Sequence, residues 1–308
     1  MKKLHTLDLI TKTPLLLLDR IRTGPGRIYA KLEFLQPGGS VKDRAALQII
    51  RDAYASGKLK HGQYVVEMTS GNMGSGLALV CRQFGNPFIA VMSKGNSPER
   101  RKILSALGAE IILADQVDGQ PGMVTGKDIE YAADTARKIA KSNNGFYVDQ
   151  FNNPSGITAH FESTGPEIWE DLPEIDVFIT SVGSGGMFIG TSKYLKSRNN
   201  KIKCIAVEPE NACILKTGKV VTPKHIIQGT GYGIVPPFWE PDLADEILTV
   251  SDAEVREMTR RLSVEQGLYV GYSSGANVIA ALKYLEKLGS EINIVTILCD
   301  TAYKYSDL

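Results

Sequence analysis

The chain has 308 residues, about two domains' worth at roughly 150 each, and its 43% hydrophobic and 22% charged residues are those of an ordinary globular protein. Lys+Arg 35 against Asp+Glu 34 leaves a net charge of +1, so no basic excess is present to hold a nucleic-acid backbone. Thirty glycines and 14 prolines without a Gly-X-Y period point to tight turns in a folded chain, not to disorder.

Met1-Lys2-Lys3 begins like the charged part of a signal peptide, but His5, Asp8, Lys12 and Asp19 interrupt the apolar run behind it, and the longest leucine run is Leu15 to Leu18. No stretch approaches the ~20 apolar residues of a membrane span. Cys81, Cys204, Cys213 and Cys299 stand singly, without a C-x-x-C pair, as small buried hydrophobes would in a reducing compartment. A cytoplasmic protein without membrane contact is expected. Strands are predicted over 27–33, 64–68, 88–92, 110–113, 177–180, 202–207 and 292–298. Helices are predicted over 41–56, 74–84 and 98–107, the last ended by Gly108. Apolar strands alternating with helices imply an α/β protein with mainly parallel sheets covered on both faces. No Pro/Gly linker separates two halves, so two open twisted α/β domains interleaved in sequence are expected.

Ligands of such sheets bind in the turns beyond the carboxyl ends of the strands. Four glycine-rich turns are candidates. In Gly38-Gly39-Ser40-Val41-Lys42-Asp43-Arg44, the lysine opens a helix beside Arg44, two features that disfavour its charge and would lower its pKa. A partly neutral amine can form a Schiff base; a solvated lysine beside an ordinary cap reads the same segment. Thr69-Ser70-Gly71-Asn72 offers hydroxyls, backbone N–H groups and an amide to a carboxylate or phosphate, beyond the one hydroxyl that a cap needs. Gly183-Ser184-Gly185-Gly186 suits a backbone nest for an anion or a tight structural turn. It is no dinucleotide fingerprint, because position 188 is Phe188, and no Lys-Ser/Thr pair comes after it to make a nucleotide P-loop. Gly271-Tyr272-Ser273-Ser274-Gly275 matches a hydrolase elbow, but that fold needs a histidine after the serine, and His5, His61, His160 and His225 all precede Ser273. The histidines have no ligand spacing, so no metal is expected.

Taken in order, the motifs are similar to those of the cysteine synthase and cystathionine β-synthase family, the fold-type II pyridoxal-phosphate enzymes. Lys31 to Arg44 resembles the lysine segment of that family, and Thr69-Ser70-Gly71-Asn72 its substrate loop. Gln150-Phe151-Asn152-Asn153-Pro154 resembles its Q-F-x-N-P segment, and Gly183 to Met187 its phosphate loop. Gln228-Gly229-Thr230-Gly231 and Ser273-Ser274-Gly275-Ala276-Asn277 match as well. The resemblance implies a larger cofactor-binding domain of residues 1–45 and 153–308, a smaller substrate-binding domain of 46–152, and pyridoxal 5'-phosphate in the interdomain cleft. Lys42 would carry the cofactor and act as base. Thr69, Ser70, Gly71, Asn72, Gln150, Gly229 and Tyr232 would bind substrate, with Asn72 also near the cofactor. Gly183, Ser184, Gly185, Gly186 and Met187 would face its phosphate, and Thr301 its ring nitrogen.

The implied activity is β-replacement or β-elimination on a serine- or cysteine-like amino acid through an aminoacrylate, first as a cysteine synthase using activated serine and sulfide. The alternatives are a cystathionine β-synthase-like or cysteine-degrading activity that uses serine or cysteine directly with a thiol, or releases sulfide. Outside that class stand a non-catalytic cofactor-binding regulator and a phosphosugar or nucleotide enzyme built on the Gly183 loop. A homodimer is implied, and no further regulatory module or haem-binding extension is expected at this length. Three positions depart from the family. Met187 replaces a usual threonine at the phosphate, Met73 replaces another in the asparagine loop, and Tyr232 stands where cysteine synthases carry a small residue. The segment Ala302-Tyr303-Lys304-Tyr305 also differs from the usual G-E-R-Y.

Overall fold

The computed structural model describes residues 5–121, 124–222, 224–289 and 291–305. The chain divides into two units, one of Met1–Thr11 and Gln36–Gly156, the other of Lys12–Leu35 and Ile157–Leu308. Two strands come first, β1 (Leu15–Leu17) and β2 (Arg27–Leu32), and belong to the second unit. The first unit then runs α1 (Lys42–Ala55), β3 (Val65–Met68), α2 (Asn72–Phe84), β4 (Phe88–Ser93), α3 (Pro98–Ala106), β5 (Glu110–Ala114), α4 (Gly126–Ser142) and β6 (Phe146–Tyr147). Its four strands form one parallel sheet in the order β5-β4-β3-β6. All six residues of β4 are buried, as a central strand with both faces covered requires. Ala132, Ala136 and Ala140 recur every fourth residue on α4 and pack against Val66, Ile89 and Val91. A capping box fixes the start of α4: Thr125 accepts from the Asp128 N–H, and Asp128 accepts from the Thr125 N–H at 2.9 Å.

The helix α5 (Ser155–Ala159) leads into the second unit, which continues with α6 (Gly165–Asp171), β7 (Val177–Ser181), α7 (Gly186–Arg198), β8 (Lys203–Pro209), α8 (Ile214–Thr217), β9 (Glu246–Val250), α9 (Asp252–Gln266), α10 (Tyr272–Leu288) and β10 (Asn293–Leu298). Its six-stranded sheet has the order β1-β2-β10-β7-β8-β9, parallel except for the antiparallel edge strand β1. One face packs Val255, Met258 and Leu262 of α9 and Ala276, Ala280 and Ala281 of α10. The other packs Ile168 of α6 and Phe188, Ile189 and Leu195 of α7. Among the described residues, no helix is long and apolar enough to cross a membrane.

The α/β class and the mainly parallel sheets agree with the sequence reading. The division within the chain differs from the expected 1–45 plus 153–308 against 46–152. The residues up to Thr11, residues 36–45 with Lys42 among them, and residues 153–156 fall with the first unit. For 36–45 the reason is the packing of α1 on α2: a Cβ at Gly76 would lie 3.2 Å from the Lys42 carbonyl oxygen and from the Ala46 Cβ. A side chain there would push the α1 backbone away by a few tenths of an ångström.

Candidate active site

In the first unit the candidate residues gather at the carboxyl end of β3. Thr69 comes directly after that strand and is 5% exposed; its Oγ1 accepts the backbone N–H groups of Gly71 at 3.4 Å and Gly74 at 3.1 Å, so it holds the first turn of α2. Those bonds use the oxygen and leave the hydroxyl hydrogen to donate. Asn72 is the first residue of α2, two positions earlier than the predicted helix. Ser70, half-buried, accepts an N–H from Arg100 Nη1 at 3.0 Å. Because a guanidinium only donates, this contact turns the Ser70 hydrogen away from Arg100. Arg100 projects from α3, whose Pro at the first position and Glu99 in the first turn suit a helix start.

Gln150 reaches the same strand end from the other side of β3. Its Nε2 donates to Glu67 Oε1 at 3.1 Å and to the Met68 carbonyl at 3.3 Å. The loop that delivers it is tightly built. Asp149 adopts φ 52, in the left-handed region that Asp tolerates better than most side chains, and its carbonyl accepts the N–H groups of Asn152 and Asn153, each at 2.9 Å. Asn153 Nδ2 then donates to the Val148 carbonyl at 2.9 Å. The Q-F-x-N-P segment thus folds back on itself and holds Gln150 against β3.

Lys42 is half-buried at the first position of α1, and its backbone N–H meets Ser40 Oγ at 3.3 Å. The glycine turn before it is pinned from inside the helix: Asp43, fully buried, accepts the Gly38 N–H through Oδ2 at 2.5 Å. A Cβ at Gly38 would lie 2.4 Å from that carboxylate, so the turn requires glycine there. The close packing at Gly76 sets the start of α1 beside the start of α2. Lys42 and the Thr69–Asn72 turn therefore occupy one end of the same unit.

The second unit carries its own cluster, at the carboxyl ends of β7 and β10. Gly183, Ser184 and Gly185 lead from β7 into α7; Gly185, at φ 94, caps the helix and Gly186 begins it. Backbone N–H groups in the first turn of a helix have no intrahelical acceptor, the arrangement an anion cradle would use. A Cβ at Gly183 would lie 2.3 Å from the Gly229 carbonyl oxygen, so the turn bearing Gly229 presses on this loop. Met187 does not contribute a hydroxyl, as a threonine would. Its Sδ instead accepts from Thr191 Oγ1 at 3.4 Å, one turn on. Tyr232 is 38% exposed, next to Gly231 and Gly233, which adopt φ 57 and φ 74.

Thr301 pairs with Val270 in an isolated antiparallel bridge. Its Oγ1 accepts the Tyr303 N–H at 3.4 Å, again leaving a hydroxyl hydrogen to give. Tyr305 donates its hydroxyl to Asp300 Oδ2 at 2.6 Å, which ties down the segment that departs from the family pattern. Asn277, buried in α10, joins these strand ends: Oδ1 accepts the Ser181 N–H at 2.7 Å, and Nδ2 donates to the Ile297 carbonyl at 2.8 Å. Ser274 accepts the Cys299 N–H at 2.9 Å. The G-x-S-x-G stretch forms the start of α10, with Gly271 as its cap. Two histidines also have packing roles, His160 at 3.0 Å from Thr164 Oγ1 and His225 at 3.3 Å from the Gly231 carbonyl. The sequence marks Lys42, Asn72 and the turn of Thr69 to Gly71 as candidates, and the structure sets them at one end of the first unit. Arg100 and Glu67 were not singled out, although a lone acid inside the apolar run Val65-Val66-Glu67-Met68 was a usable signal.

A family model described as "Pyridoxal-phosphate dependent enzyme" matches residues 6–300. The chain belongs to that family. It is 38% identical to "Cysteine synthase 1" of Neurospora crassa over 309 residues, covering 97% of this chain and 81% of the relative. It is also 38% identical to the "O-acetylserine dependent cystathionine beta-synthase" of Bacillus subtilis over 300 residues, covering 97% and 94%. A solved hydrogen sulfide-producing enzyme from Fusobacterium nucleatum superposes with a TM-score of 0.90 at 36% identity, covering 99% of each chain. The chain is thus a fold-type II member of the cysteine synthase and cystathionine β-synthase group, dependent on pyridoxal phosphate. The residues present fit that cofactor. A lysine opens a helix from a pinned glycine turn, and the nest at 183–186 has no room for a Cβ at its first glycine.

Proposed function

We propose that this pyridoxal-phosphate enzyme carries out β-replacement on a serine-type amino acid whose hydroxyl is activated, with sulfide as the incoming nucleophile, so that it forms cysteine. The observation that carries the proposal is the carboxylate receptor at the end of β3. There Thr69 and Ser70 keep hydroxyl hydrogens to donate, Gln150 is held beside them, and the Arg100 cation stands behind Ser70. Such a set grips the α-carboxylate of an amino acid by charge-assisted hydrogen bonds. Asn72 joins it from the first turn of α2.

Lys42 would hold the cofactor and move the proton from the substrate Cα, and Gly183, Ser184, Gly185 and Gly186 would bind the phosphate through backbone N–H groups. When bound, the cofactor supplies an electron sink for negative charge at Cα. Thr301 would offer the ring nitrogen a neutral hydroxyl, which would not keep that nitrogen protonated as a carboxylate would. This favours early loss of a β leaving group over transamination or racemisation. Lys42 then returns the proton after sulfide adds.

A second reading, direct use of serine or cysteine with a thiol or with release of sulfide, is favoured by Tyr232, whose hydroxyl suits a poor leaving group. The family association makes a homodimer in the cytoplasm part of the proposal. Borohydride reduction of the holoenzyme and peptide mapping test the first step: a pyridoxyl group on Lys42 is expected, and labelling elsewhere overturns the assignment. O-acetyl-L-serine, L-serine and L-cysteine, each with sulfide or homocysteine, then separate the two readings by product.

A further inference from the structure

One carboxyl group at the receptor has no part in the reading above. Glu67 interrupts the apolar strand β3 and is 1% exposed. Its Oε1 accepts from Gln150 Nε2, its Oε2 is buried and makes no close hydrogen bond, the backbone N–H groups of Asp149 and Gln150 act on the carboxyl, and among the described residues no Lys, Arg or His pairs with it. An unpaired anion in such a place is far costlier than a neutral acid. We propose that Glu67 is a positioning residue which, as a neutral carboxylic acid, fixes the Gln150 amide so that an N–H of Gln150 faces the substrate carboxylate. The inference rests on the reading that Gln150 binds that carboxylate.

The two ends of a Gln amide differ in which carries hydrogens, and an acceptor beside one end selects the nitrogen for it. Glu67 is that acceptor. It takes one N–H, and the second reaches the Met68 carbonyl only at 3.3 Å, long for such a bond. The second hydrogen is the one that a carboxylate at the Thr69–Asn72 turn draws. Ionised Glu67 would hold the same amide but set a negative charge behind it, against the incoming carboxylate. The environment favours the neutral form: burial pushes the carboxyl up to about 8, opposed by the Gln150 side-chain hydrogen bond and by the backbone N–H groups of Asp149 and Gln150, and reinforced by the charge of Asp149. The other titratable neighbour is Tyr147 of β6, whose hydroxyl is also raised, by burial and then by Glu67; Arg137 and Asp134 of α4 act on that tyrosine. From β4 the residue paired with Glu67 is the uncharged Ala90. By linkage, a bound carboxylate holds the proton on Glu67 more firmly, and ionisation of Glu67 weakens carboxylate binding equally.

The test uses L-alanine, which has no β leaving group, titrated against the holoenzyme while cofactor absorbance is followed from about pH 6.5 to about 9.5. Dividing the Kd of wild type by that of Glu67→Gln cancels the ionisation of the alanine amine. The ratio is expected to stay flat at neutral pH and to rise above about 8, by at most about tenfold per pH unit, toward a plateau set by the coupling. Glu67→Ala, which removes the acceptor, is expected to weaken alanine roughly tenfold even at neutral pH. Carbon-13 labelling of the wild-type glutamates gives a readout independent of any variant: one carboxyl titrates near 8 and moves upward when L-alanine is added. A flat ratio with normal alanine binding, or no such carboxyl, overturns the role of Glu67 and leaves the proposed function standing. If wild type binds no L-alanine at any pH, the proposed function falls and this inference falls with it.

Discussion

Gly183→Ala places a methyl group where the protein has no space for one. The added Cβ would sit 2.3 Å from the Gly229 carbonyl oxygen, whereas ordinary contact begins near 3.4 Å, so the two turns must part by about 1 Å. Neither is free to yield easily. The Val182 N–H is bonded to the Val207 carbonyl at 3.2 Å, and Thr230, next to Gly229, donates its hydroxyl to the Ile227 carbonyl at 3.0 Å. Overpacking of this kind costs about 1–3 kcal/mol. At 1.4 kcal/mol per decade, the cofactor would bind roughly 5- to 150-fold more weakly if the whole strain were relieved in the empty protein. Absorbance titration of the apoprotein with pyridoxal phosphate measures this, alongside thermal unfolding with and without cofactor. Gly156→Ala is the control, since a Cβ there meets nothing within 4 Å. Wild-type affinity and wild-type melting in Gly183→Ala would refute the claim that these turns are held in rigid contact.

Three further outcomes are expected. Arg100→Ala raises KM for the amino acid about tenfold with a smaller change in kcat, and a double-mutant cycle with Ser70→Ala shows strong non-additivity, because Arg100 acts through that hydroxyl. Additive losses would break the link. Asn277→Leu strands the Ser181 N–H and the Ile297 carbonyl and lowers unfolding free energy by roughly 2–4 kcal/mol, read by urea denaturation of the holoenzyme. For Glu67 the folded value of about 8 lies above the ordinary 4.5, so between these pH values the folded chain keeps a proton that the unfolded chain has released. Its contribution is full below the lower value and is lost as pH rises toward the upper one, at about 1.4 kcal/mol per pH unit; thermal unfolding of wild type against Glu67→Gln across that window measures the slope.

The α/β class, the strand-to-helix turns and most strand positions were legible because they are written in local pattern: β-branched runs, glycines at the turns, Pro98 at a helix start. The family motifs made the lysine turn, the asparagine loop and the glycine cradle legible too. What sequence hid was created by long-range packing. Arg100 meets Ser70 across 30 positions, and nothing in Pro98 to Leu107 marks one basic residue above the others. Glu67 reads as a strand residue until burial without a cation gives it chemistry. The assignment of 36–45 to the first unit depends on α1 resting on Gly76, a contact with no local signature. The strands β1, β6 and β9 have no such pattern, the first two being only three and two residues long and the third led by Glu246.

The order β1-β2-β10-β7-β8-β9 has a consequence for biogenesis. β10, made after every other strand, lies between β2 and β7, pairing Ile28 and Val177 with Ile294. During synthesis β2 therefore waits for more than two hundred and fifty residues before its neighbour leaves the ribosome. Until then the edges of β2 and β7 are open to wrong pairing or to capture by chaperones. The smaller sheet has no such delay, since all its strands lie between Val65 and Tyr147 and can close first.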